Sequence, residues 1–171
     1  VWLIQPYMKQ AGVAVTWFGP IWTGANLSVA LFALASHRMR GALGDRWMVV
    51  LFMILIWAGY LGLGFVGGAG GFLFYYLLTS MRGLRGPMML SLSQKESPSA
   101  HRASILSLQS LCFRLLFVCT GPLVGVLADT AGVQQAFRIL FYAFLLVLPP
   151  LAILFLREVG RQESLRENAI L

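Results

Sequence analysis

The sequence predicts an all-α protein, a polytopic bundle of membrane helices with five full transmembrane spans and a short leading stub. Composition is the first reason: 58% of the 171 residues are hydrophobic and 11% are charged, with a mean hydropathy of +0.78. A soluble domain carries roughly a quarter charged residues, so this chain has too few to wet a surface. The apolar residues also gather into runs of about 20, the length that crosses a bilayer, separated by short polar loops. The third reason is the placement of the basic residues, which the order of elements brings out.

Residues 1–8, VWLIQPYM, are too short to span and read as the end of a helix that begins upstream. With no initiator methionine and no signal-peptide pattern, the chain is expected to be a fragment of a longer one. Lys9 to Gly12 is a turn. Residues 11–36 hold no charge and form the first full span; its Gly19, Pro20 and Gly24 are tolerated where neighbouring groups satisfy the freed backbone. His37 to Arg46 is a short basic loop, and 47–65 is the second span. The stretch Gly64 to Gly71 breaks the chain, because otherwise the uncharged run from Trp47 to Met81 would be 35 residues long. Gly64 and Gly68, like Gly67 and Gly71, also have the spacing of close helix contacts, although a turn explains more. The third span covers 71–93 and the fourth 104–128, joined by a polar loop around Pro98. LADTAGVQQAFR is a second loop, and 136–156 is the last span, interrupted by Pro149 and Pro150. Residues 1–156 thus make one transmembrane unit, and 157–171 a polar tail, helical in solvent or disordered.

This frame puts Arg38, Arg40, Arg46, Lys95, Arg102, Arg157, Arg161 and Arg166 on one side and only Lys9 and Arg138 on the other. The positive-inside rule makes the first side cytoplasmic, with the C-terminus on it. Topology therefore accounts for the net charge of +7, and the lipid bilayer, not nucleic acid, is the expected partner. Cys112 and Cys119 lie seven residues apart on one helix, roughly 10 Å by helical rise, too far for a mutual disulfide.

The two spans around Pro98 each carry arginine. Arg82 lies sixteen residues before Pro98 and Arg114 sixteen after it, so an antiparallel hairpin sets them at one depth. From Arg102 to Arg114 is roughly 18 Å of helical rise, near the middle of a hydrocarbon layer about 30 Å thick. Arginine there is costly and faces a bundle interior or a water-filled path. Ser104, Ser107, Ser110 and Arg114 share one helix face, and Gly121 and Gly125 continue it. The face either lines a cavity, with Arg114 meeting an anionic group, or ties helices together through carbonyls and hydroxyls. Tyr75, Thr79, Arg82 and Gly86 form a similar stripe on the preceding helix, while Arg85 snorkels outwards. The expected cavity residues are Arg82, Arg114, Ser107 and Ser110, with Asn26 and Tyr75.

Asp45, Glu96, Asp129, Glu158, Glu163 and Glu167 all lie in loops or the tail. The arginines' partner is therefore a carboxylate from elsewhere, which would suit proton coupling, or an anionic substrate. Neither His37 nor His101 has a metal-spaced companion, and no serine has a G-x-S-x-G setting, so nothing points to an enzyme, a metal or a cofactor.

Three local patterns resemble the major facilitator superfamily of secondary transporters. Gly41-Ala42-Leu43-Gly44-Asp45-Arg46 is similar to its G-x-L-a-D-R loop, with Trp47 and Met48 in place of the usual basic residues. Arg82-Gly83-Leu84-Arg85-Gly86-Pro87, leading into ESPSAHRASILSLQSL, resembles its helix 10 and the start of helix 11. Gly121-Pro122-Leu123-Val124-Gly125 before Leu127-Ala128-Asp129 is similar to its glycine–proline element late in helix 11, and also to the antiporter motif of helix 5.

The resemblance covers nearly the whole chain and implies the C-terminal half of such a fold, the end of helix 7 followed by helices 8 to 12. The family's two halves are repeats, so an N-terminal half is the alternative assignment. It further implies alternating access for a small polar or anionic solute, location in an inner (plasma) membrane, and the N-terminal half of the same transporter as partner. Gly41, Asp45 and Arg46 would latch helix ends at the cytoplasmic loop, Asp45 also being placed to N-cap the next helix. Gly64, Gly68, Gly121, Pro122 and Gly125 are expected helix-packing positions. A structural or regulatory membrane protein derived from half a transporter is the other reading of the same features.

Overall fold

The computed structural model describes residues 3–96 and 102–168. The centre of the expected polar loop, 97–101, lies outside the described residues. Among the described residues, five α-helices account for nearly all: α1 (Ile4–Gln10), α2 (Phe18–Phe65), α3 (Tyr75–Glu96), α4 (Arg102–Ala131) and α5 (Val133–Asn168). Two 3₁₀ turns, Val15–Trp17 and Ala69–Phe74, lead into α2 and α3.

At about 1.5 Å per residue a straight α2 of 48 residues would be about 72 Å long. It is broken at Gly44, where φ 74° and ψ 168° interrupt the helix. That conformation is nearly closed to residues with a Cβ, so the glycine sets the break, dividing α2 into 18–43 and 45–65. Gly12, Gly68 and Gly132 likewise bend the chain at positive φ.

Several expected boundaries move. The first long helix starts at Phe18 instead of residue 11. The expected basic loop His37 to Arg46 is helical except at Gly44, because its residues are ordinary helix formers and one glycine suffices to turn the chain. The second expected loop shrinks to Gly132 for the same reason. The third long helix starts at Tyr75 instead of residue 71, after its 3₁₀ turn, and the tail continues α5 as helix to Asn168.

Among the described residues, three helical stretches are long and apolar enough to cross a membrane: Val15–Phe65, which contains the break, Ala103–Ala131 and Val133–Glu158. α3 is not among them, since Arg82, Arg85 and Lys95 interrupt its apolar character.

Contacts fix the helix directions. Tyr76 donates to the Ile21 carbonyl, the Ser28 and Thr79 hydroxyls meet at 2.6 Å, and Ser36 Oγ donates to the Leu84 carbonyl at 3.0 Å. Residue numbers rise together in these pairs, so α3 runs parallel to 18–43. Against 45–65 it runs the other way, with Phe74 at Gly62 and Leu78 at Gly59. Arg85 of α3 stacks on Phe113 of α4, and the two lie equally far from the facing ends of their helices, which fits an antiparallel hairpin. Trp57 Nε1 donates to the Phe144 carbonyl and Arg138 Nε to the Gly64 carbonyl, so α5 opposes 45–65. From 18–43 onward, five successive helical segments alternate in direction.

The same contacts sort the loops to two ends. One end gathers α1, Val66–Gly71 and the start of α5, tied by the Tyr7 hydroxyl to the Val66 carbonyl at 3.0 Å. The other holds the Gly44 break and the C-terminal turns of α5. The cores lie between α2 and α3: Ile21, Ala25, Leu63, Tyr75 and Leu78 with α1 and α5 residues towards the first end, and Met48, Leu84 and Met88 towards the second. Lipid is as apolar as leucine, so such helices associate through close packing and hydrogen bonds more than through burial.

Candidate functional site

The α3–α4 hairpin positions the arginines. The Arg85 guanidinium stands 5.3 Å from the centre of the Phe113 ring. Arg85 is eleven residues before the end of α3 and Phe113 eleven after the start of α4, so the two helices pair symmetrically about their connection. In that register Arg82 and Arg114 lie at the same level to within about a helical turn, as the sequence spacing predicts. Both side chains are exposed, and no hydrogen bond or ion pair to either is formed among the described residues.

Ser107, Ser110 and Arg114 stand on α4, whose residues 103–120 are all exposed. Ala103, Ser104, Ser107, Leu108 and Leu111 line an open hollow of about 640 Å³, and Arg114 continues that face one turn further on. Asn26 is exposed on α2, its amide donating to the Trp22 carbonyl at 3.0 Å. By the α2–α3 register it stands about one turn from the level of Arg82, towards the end that holds α1.

Tyr75 is placed differently. It is 2% exposed and belongs to the core with Leu78 and Ile21. The stripe Tyr75, Thr79, Arg82, Gly86 therefore splits: its first two members are buried, and the last two are exposed. Arg82 and Arg114 come to one level, Ser107 and Ser110 share their helix with Arg114, and Tyr75 is buried on the helix of Arg82, two turns before it.

At the break in α2, Arg40 and Asp45 form a two-pronged ion pair, Arg40 Nη2 lying 2.8 Å from Asp45 Oδ2 and Arg40 Nε bonding Oδ1. The Asp45 hydrogen bond raises the Arg40 pKa above its ordinary value. Arg46 is exposed and reaches α5, where its Nη2 lies 3.7 Å from the place a Cβ would take on Gly160. Gly41 is exposed, with open space around it. The conspicuous loop residues thus pin the break and touch the last helix.

Of the expected packing positions, Gly64 meets α5: a Cβ there would lie 3.1 Å from the Arg138 backbone nitrogen. Gly68 supplies the positive φ of the turn, and its carbonyl receives a longer bond, 3.4 Å, from Tyr7. A Cβ on Gly121 would meet only Phe117 of its own helix, one on Gly125 nothing within 4 Å, and Pro122 is exposed. Gly71, which the spacing also singles out, lies against Tyr7 and the Val66 carbonyl, and other close approaches occur at glycines the spacing does not single out. Gly59 and Gly62 receive Leu78 and Phe74, and Gly83 lies against the backbone of Val29. Buried Ser36 and Thr79 add hydroxyl bridges between α2 and α3.

Comparison of this chain with known protein families, with curated protein sequences and with solved structures gave no match.

Proposed function

We propose that the chain is one half of a membrane carrier that moves a small polar solute by alternating access, most similar in plan to the C-terminal half of a major facilitator transporter. The observation that carries the reading is the pair Arg82 and Arg114, level with each other and exposed on adjacent helices, the second of which is long and apolar enough to cross a membrane. An ionisable side chain at membrane depth marks a polar pathway by default. The alternation of five helical segments supports five traverses, with α3 held as a span by its contacts with α2 in spite of its arginines. The Gly44 break with Arg38, Arg40, Arg46, Arg157 and Arg161 at one end, against Lys9 and Arg138 at the other, supports a cytoplasmic position for the break and the C-terminus. On this reading the exposed face of α4 receives the other half of the carrier, and the solute sits between the two near the midplane. Asp45, Arg40 and Arg46 hold the cytoplasmic ends of α2 and α5 in register.

The test is solute accumulation by cells expressing the native polypeptide, followed by untargeted mass spectrometry of the retained small molecules. At least one polar solute should be enriched or depleted relative to control cells. Arg114→Ala should abolish the change while the amount of protein in the membrane stays constant. An identical solute profile in the wild type and the variant would overturn the role of Arg114.

A further inference from the structure

We infer that the solute recognised at the α3–α4 hairpin is an organic or inorganic anion, bound through Arg82 and Arg114; this rests on the carrier reading above. The charge on the hairpin is lopsided. Arg82, Arg85 and Arg114 lie within about a helical turn of one level, as the Arg85–Phe113 contact requires. The acids of α3 and α4 stand at their ends, Glu96 at the close of α3 and Asp129 near the close of α4. Arg85 is occupied by the Phe113 ring, which offers a cation its π-face without neutralising it. Arg82 and Arg114 are left with their planar N–H forks open among the described residues, a geometry that matches carboxylate and phosphate oxygens two at a time.

Two fixed ion pairs to carboxylates of another segment would also compensate these arginines, but they would not need room. The α4 face leaves room: residues 103–120 are exposed, an open surface depression of about 640 Å³ lies along Ala103, Ser104, Ser107, Leu108 and Leu111, and Arg114 stands further along the same exposed helix. Serine hydroxyls add further donors along the same face, suited to oxygen-rich anions. A cationic solute would meet three positive charges at the same level, and a neutral one would leave both forks unpaired at a depth where that is costly.

The experiment uses the native polypeptide in lipid nanodiscs and reads its melting temperature against acetate, succinate, citrate and inorganic phosphate as sodium salts. Glucose and choline serve as neutral and cationic probes, and ionic strength is held constant. At least one anion should raise the melting temperature saturably. Its apparent affinity should fall at least tenfold in Arg82→Gln and in Arg114→Gln. Arg114→Lys, which keeps the charge and loses the fork, should retain a weaker response, and this separates recognition from folding if a glutamine variant melts early. A saturable response to glucose or choline alone, or an anion response unchanged in both glutamine variants, would overturn the anion assignment and leave the carrier reading standing. No saturable response to any probe would overturn both.

Discussion

Gly83 of α3 lies so close to α2 that a Cβ on it would fall 2.4 Å from the carbonyl oxygen of Val29. Backbone cannot swing aside as a side-chain tip can, so Gly83→Ala must push the helices apart. A loss of about 1–3 kcal/mol is expected, the usual cost of overpacking. Gly86→Ala, one turn on, meets nothing within 4 Å and should be neutral or stabilising by about 0.5–1 kcal/mol through reduced backbone freedom. Thermal unfolding in detergent measures both, and equal effects would contradict the packing.

The break in α2 depends on one residue. Gly44→Ala places a Cβ at φ 74°, ψ 168° and should cost about 1–3 kcal/mol. Gly41→Ala, three residues earlier at an open helical position, should not. An unchanged melting temperature for Gly44→Ala would show that the chain turns there for another reason.

The Arg40–Asp45 pair is about four-fifths shielded, with side-chain exposures of 18% and 23%. A double-mutant cycle of Arg40→Gln and Asp45→Asn should give a coupling of about 1 kcal/mol, the upper end for a pair near the surface. Its pH dependence has a definite sign. Asp45 holds the Arg40 pKa above an already strongly basic ordinary value. The arginine's contribution is therefore complete below that ordinary value and lost only as pH rises through the higher folded one. The stability difference between wild type and Asp45→Asn should stay constant from pH 6 to pH 10. A difference that shrinks towards pH 10 would contradict the assignment.

Ser36, 2% exposed, donates to the Leu84 carbonyl. Ser36→Ala should cost about 0.6 kcal/mol, the average measured for hydrogen bonds between membrane helices, and no more than about 1.7 kcal/mol, the largest. Ser110→Ala, at an exposed position, should leave unfolding unchanged, whatever it does to solute handling.

The helical class, the apolar runs and the matched level of Arg82 and Arg114 were all legible in the sequence. They follow from composition and from counting residues about Pro98. The turns were partly legible: the glycine-rich stretch after Leu63 announced itself, while the bends at Gly44 and Gly132 were hidden inside longer polar stretches that remain helical. The burial of α3 was not legible. Its interior face carries Tyr75, Thr79, Ser80 and Gly83 beside Leu84 and Met88. In a helix that packs by small residues and hydroxyls, the apolar periodicity that marks a core face in a soluble helix is absent. That is also why Tyr75 and Arg82, equally polar in pattern, differ in exposure.

The central claim is that the α4 face bearing Ser107, Ser110 and Arg114 lines a polar path at membrane depth. Cysteine accessibility in native membranes tests it most directly, in a chain whose Cys112 and Cys119 are replaced by serine. A charged, water-soluble thiosulfonate should modify Ser107→Cys and Ser110→Cys rapidly. It should leave Leu116→Cys and Leu123→Cys, on the opposite side of the same helix, unmodified. Equal reactivity at all four positions, or protection of all four, would contradict the account.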